Sequence, residues 1–168
     1  MRSRTSEDDT AYTEFATVMA PRLFRTALLM CGDWHLAEDL VQTTLAKMYV
    51  GWGKVRRADV PEAYARGTLT KTFLSHQRIR RNAEMPTVDL GDAQAASGLT
   101  SERVELFEAL RKLEVLDRAV VVLRYWEDRT VADTAAEVGL SEGAVRTRAS
   151  RALGRLRTEL SDSTAATS

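Results

Sequence analysis

An all-α fold, arranged as two small helical domains joined by a flexible linker, is the class this sequence predicts, and three observations predict it. Apolar residues recur at helical i, i+3 and i+4 spacing in two long segments. Between them, residues 82–100 (NAEMPTVDLGDAQAASGLT) lose that periodicity and carry one Pro, two Gly, three acids and no base. No run of strict period-two alternation survives the helical readings, and no internal repeat is present. The predicted organisation is a first domain over 10–81, a linker over 82–100, a second domain over 101–160 and a disordered tail over 161–168.

Each element has a local cause. Phe15, Val18, Met19, Leu23, Phe24, Ala27 and Leu28 mark a first helix, interrupted or entered at Pro21. Leu36, Leu40, Val41, Thr44, Leu45 and Met48 form one face of a second, with Asp33 placed to cap it. Gly51, Gly53 and Pro61 then break the chain, and a helix over about 62–81 ends in a basic cluster. The linker reaches roughly 60 Å if extended. Beyond it, helices are predicted near 102–113, 116–127, 131–138 and 142–160. The last eight residues, SDSTAATS, read as frayed.

Composition narrows the function classes. The chain has 168 residues, 44% hydrophobic and 29% charged, with 24 bases against 24 acids. That is a globular profile, and two domains of about 70 residues are stable enough to fold but modest enough to lean on a partner. Cys31 stands alone, so no internal disulfide forms, and with His35 and His76 it makes no recognisable metal set. No metal and no cofactor are expected. The runs ALLMC (27–31) and AVVVL (119–123) are too short to span a bilayer, so the expectation is a reducing cytoplasm and no membrane partner. No acid pair, activated nucleophile or phosphate-cradling glycine loop appears, which argues against an enzyme. Zero net charge argues against coating DNA unaided, so any nucleic-acid role falls to local patches.

One such patch is GLSEGAVRTRASRALGRLR (139–157), with five arginines and one acid. At 100° per residue, Val145, Ala149, Ala152, Leu153, Leu156 and Leu160 fall within an arc of about 100° that must face a core. Arg148, Arg151 and Arg155 flank that arc on one side, Arg146 and Arg157 on the other. Thr147, Ser150 and Gly154 lie between, so small side chains can approach bases while long cations reach phosphates. Upstream, TVAD (130–133) opens a helix in capping-box fashion, Gly139 permits a turn and Ser141 can cap the next helix, ahead of Glu142. Ala135, Gly139 and Val145 have the spacing of a helix-turn-helix. A basic amphipathic helix with solvated arginines is the plainer alternative.

The segment LDRAVVVLRYWEDRTVADTAAEVGLSEGAVRTRASRALGRLR (116–157) resembles region 4 of bacterial extracytoplasmic-function (ECF) sigma factors, and GDWHLAEDLVQTTLAKMYVGW (32–52) resembles their region 2. The likeness is strongest to the actinobacterial SigE-type branch. It implies an RNA polymerase initiation factor that joins core polymerase, recognises promoters at the -35 and -10 elements and promotes DNA melting. Region 2 would dock on the β′ clamp helices through Asp39 and Gln42, which share a helical face; a solvated pair would explain them equally. The -10 element would be held by Lys54, Arg56 and Arg57 in KVRRADVP (54–61) and by Lys71, Arg78, Arg80 and Arg81. Trp52 and Tyr64 are candidates for base stacking, against the more common core role of aromatics. Region 4 would bind the β flap and the -35 element, through Ser141, Glu142, Ala144, Arg146, Thr147, Arg148, Ser150, Arg151 and Arg155. An anti-sigma factor is a further partner the resemblance admits.

The chain also departs from the family. It has Gly67 where Arg is common, Lys71 where Asn is common, and Gly143-Ala144-Val145-Arg146 in place of Gly-Thr-Val-Lys. Losing the Thr hydroxyl removes one contact, while Arg146 adds a bidentate fork. The linker acids Glu84, Asp89 and Asp92 either mimic nucleic-acid charge or simply solvate a tether. Two rivals are a helix-turn-helix regulator that binds an operator without polymerase and a helical adaptor that sequesters a partner.

Overall fold

A computed structural model describes residues 5–83 and 100–167, and every regular element among them is helical. The predicted linker, save its ends at 82, 83 and 100, lies outside the described residues.

Helix α1 (Ser6–Cys31) opens where the Thr5 hydroxyl accepts from the Asp8 amide at 3.3 Å, with Glu7, Asp8 and Asp9 on the positive end of the dipole. It does not break at Pro21. The proline is exposed, and buried Met19 on one side with Leu23 and Ala27 on the other hold both halves in one apolar stripe. Gly32, at φ 67°, ends the helix by donating to the Leu28 carbonyl at 2.8 Å. Helix α2 (Trp34–Val50) starts as expected, with the Asp33 carboxylate accepting from the Leu36 amide at 3.0 Å. A single turn, α3 (Trp52–Val55), leads to α4 (Pro61–Asn82). These four close around Met30, Leu40, Met48, Leu69 and Phe73.

The C-terminal body comprises α5 (Ser101–Arg111), α6 (Val115–Val121), α7 (Val131–Val138) and α8 (Glu142–Thr167). The helix expected over 116–127 is not uniform: α6 passes into a π-helical turn at Val122–Trp126. There the Glu127 amide donates to the Val122 carbonyl at 3.0 Å, and Asp128 takes φ 52°. Such widened turns re-aim the side chains that follow. The tail is also corrected, since α8 continues to Thr167, where disorder was expected from 161. Ser161 and Thr164 donate their hydroxyls to the Arg157 and Leu160 carbonyls one turn earlier in the same helix.

The two bodies lean on each other. Leu110, Leu113, Val121, Leu123, Ala152 and Leu156 of the second belong to the same buried cluster as Leu23, Leu40 and Phe73 of the first. A smaller cluster, Val120, Ala135, Val145 and Ala149, serves the C-terminal body alone. Small domains gain most by sharing a core in this way.

Candidate nucleic-acid interface

The smaller cluster fixes the angle between α7 and α8. Thr130 accepts from the Asp133 amide at 3.0 Å and starts α7. Gly139, at φ 73°, ends it with its amide on the Ala135 carbonyl at 2.9 Å. Ser141 then accepts from the Ala144 amide at 3.1 Å and starts α8. Each turn residue therefore acts as its chemistry suggested, and the result is a helix-turn-helix with Val145 fully buried at its elbow.

Outside that elbow, Ser141, Glu142, Arg146, Thr147, Ser150, Arg151 and Arg155 are all exposed along α8, and Ala144 is half-buried. Arg148 stands apart from them. Its Nη1 lies 2.7 Å from Asp117 Oδ1 and 3.7 Å from Glu114 Oε2, so its guanidinium is engaged within the fold and is not offered outward. The reason is tertiary: α6 packs on α8 and brings the buried Asp117 to this flank. On the opposite flank Arg146 and Arg157 meet Arg124 and Tyr125 of the π turn around a cleft of about 240 Å³, floored by Ala149 and Leu153 with Ser150 at its edge. The sequence wheel placed Arg146 and Arg157 on one flank; nothing local pointed to Arg124, whose position depends on the fold.

The N-terminal body presents its candidates on two faces. Asp39 and Gln42 are exposed on α2, while their neighbours Leu40 and Val41 are buried. Lys54, Arg56 and Arg57 project around α3, with Arg56 paired to Asp8 and Arg57 Nε donating to the Gly53 carbonyl at 2.7 Å. Lys71, Arg78 and Arg81 are exposed along α4 and Arg80 is half-buried. Trp52 does not stack outward. It is 4% exposed and packs against Phe15 at 5.2 Å and Tyr12 at 5.5 Å between ring centroids, so it belongs to the core. Tyr64 is exposed. Among the described residues no group of three or more metal-ligating side chains occurs, and no helix is long and apolar enough to cross a membrane.

Comparison with known proteins follows the same division. Residues 16–83 match the family described as Sigma-70 region 2, and residues 103–156 match Sigma-70, region 4. The RNA polymerase sigma-E factor of Streptomyces antibioticus is 36% identical over 152 residues, covering 88% of this chain and 84% of its own. The chain belongs to the ECF RNA polymerase sigma factors. ECF sigma factor SigM of Mycobacterium tuberculosis is 29% identical over 138 residues, 80% of this sigma factor and 69% of that one. Among solved structures, the sigma factor RpoE of Bartonella quintana, in complex with the anti-sigma factor NepR, aligns at TM-score 0.73 and 25% identity. That alignment covers 90% of this chain and 97% of RpoE, and so takes in both bodies. As a sigma factor the protein acts in promoter recognition and transcription initiation, with core RNA polymerase and promoter DNA as partners.

Proposed function

We propose that the division of labour within this sigma factor follows its exposed faces. Asp39 and Gln42 dock region 2 on the β′ clamp helices, offering an acceptor and an amide on one side of α2. Lys54, Arg56, Arg57, Lys71, Arg78, Arg80 and Arg81 hold the backbone of the melted -10 strand, and exposed Tyr64 is the aromatic available for a base. Helix α8 enters the -35 major groove with Ser141, Glu142, Ala144, Arg146, Thr147, Ser150, Arg151 and Arg155, while region 4 also meets the β flap. Arg124 and Arg157 join this set as phosphate contacts, and Arg148 leaves it to hold Asp117. The protein catalyses no reaction of its own, works in the cytoplasm and takes an anti-sigma factor as a further partner.

The observation that carries the reading is the outward strip of small and basic residues on α8, held on a fully buried Val145. Run-off transcription with purified core polymerase on a promoter library tests it. Asp39→Ala with Gln42→Ala is expected to retain native helix content yet lose co-elution with core polymerase. Unchanged holoenzyme formation would remove both residues from the docking face.

A further inference from the structure

The first turns of α1 carry a charge run that the proposed promoter contacts leave unused. Ser6-Glu7-Asp8-Asp9 holds three consecutive acids and precedes the region 2 match, which begins at residue 16. An acidic opening suits the helix dipole, and that alone would account for the run. The structure gives it a second use. Asp8 Oδ1 accepts from Nη1 of Arg56, a cation of the segment assigned to the -10 strand, 48 residues further along the chain. Asp9 Oδ1 accepts from the Tyr49 hydroxyl at the end of α2, at 3.4 Å.

Aromatic packing fixes this meeting. Asp8, Tyr12 and Phe15 fall within about 60° of one another around α1. The Tyr12 ring meets Tyr49 at 4.9 Å and Trp52 at 5.5 Å between centroids, both edge-on, and Phe15 meets Trp52 at 5.2 Å. The Tyr12 hydroxyl donates to the Leu45 carbonyl at 2.8 Å. Trp52 and Val55, the two ends of α3, are 4% and 1% exposed. Buried rings therefore set the register of α1 against α3, and Asp8 stands over Arg56 without relying on the pair to hold it there. The pair itself is open to water, with side chains 44% exposed for Arg56 and 32% for Asp8. An ion pair so placed is worth a factor of up to about five in an equilibrium, so a strand phosphate is able to replace the carboxylate. Two anions on one guanidinium would stand within about 6 Å of each other, where like charges repel, so phosphate and carboxylate compete for Arg56 instead of sharing it.

We propose, on the -10 assignment above, that Asp8 is a positioning residue standing in for a strand phosphate on Arg56, and that the -10 strand binds this segment by displacing it. Arg56 then joins the strand only by exchange. The acidic turn lowers the hold of the segment on any strand, as suits a neutral chain that does not coat DNA unaided.

A double-mutant cycle tests this. Holoenzyme assembled from the full chain and core polymerase is titrated with the single-stranded -10 non-template strand of a promoter that supports run-off, with core polymerase alone as background. Asp8→Ala is expected to bind the strand about two- to fivefold more tightly with helix content unchanged, and Asp8→Glu, which keeps the charge, to bind as the parent does. Arg56→Ala should weaken binding by a larger factor in the Asp8→Ala background than in the parent, and Asp8→Ala should give no comparable gain once Arg56 is gone. Equal or weaker binding by Asp8→Ala would overturn the exchange, because a carboxylate that helps Arg56 reach the strand is missed when removed. A gain of the same size without Arg56 would overturn it as well, by reducing Asp8 to general repulsion. Lys54→Ala with Arg57→Ala leaving strand affinity at the parent's value would instead sink the assignment of this segment to the -10 strand, and the exchange with it.

Discussion

Arg148→Ala separates a structural arginine from the reading arginines beside it. Arg148 Nη1 is 2.7 Å from Asp117 Oδ1, and the Asp117 side chain is only 7% exposed. Removing the guanidinium leaves that carboxylate desolvated without its cation. A hydrogen bond to a charged group contributes about 1.5–3 kcal/mol, and orphaning one member of a fully buried pair costs about 3–5 kcal/mol. The Arg148 side chain is 25% exposed, so water reaches the vacated site and the expected loss falls to about 2 kcal/mol. Arg146 provides the contrast: its nearest acid, Glu142, is 3.9 Å away, with side chains 64% and 52% exposed. Arg146→Ala is therefore expected to leave stability within about 0.5 kcal/mol while weakening -35 binding by about 1–3 kcal/mol if it reads a base. Urea unfolding followed by circular dichroism, with promoter binding in parallel, measures both. Adding Asp117→Ala to Arg148→Ala should cost less than the two single losses summed. Stability of Arg148→Ala equal to that of the parent, with promoter affinity reduced, would refute the assignment and return Arg148 to the DNA face.

Two further outcomes follow from single residues. Gly139→Ala meets no atom within 4 Å at its new methyl, so only the left-handed backbone at φ 73° opposes it, and urea unfolding should register a loss of about 1–2 kcal/mol with α8 still able to bind DNA. The Cys31 thiol, raised from 9.0 to about 11, favours the protonated folded state; its contribution is full below pH 9.0 and is lost as pH rises toward about 11. Unfolding midpoints of the parent should fall relative to Cys31→Ala across that window, and parallel curves would show the thiol to be no more buried than in the unfolded chain.

Local chemistry made much of this protein legible before folding. Asp33, Thr130, Gly139 and Ser141 act within three or four residues of themselves, so caps and turns followed from residue type alone. The apolar face of α8 needed only helical period, and Val145 is buried as that period required. Pro21 misled because one missing amide is a local signal, whereas the stripe from Met19 to Ala27 that carries α1 through it draws on the whole N-terminal core. Trp52 was open between base and core for the same reason: an aromatic beside a basic loop fits either, and only Tyr12 and Phe15 closing on it decided.

By itself the sequence determined most of the helices, though not the π turn or the last turns of α8, together with the order of the two regions and the small-and-basic strip that faces outward, because these depend on periodicity and on neighbours along the chain. Tertiary structure alone decided which charges stay available. Arg148 is claimed by an acid 31 residues away, and Arg66 by one 61 residues away (127 − 66). No pattern in the sequence encodes those meetings, since an ionised side chain gives the same local signal whether it faces water, phosphate or a buried partner.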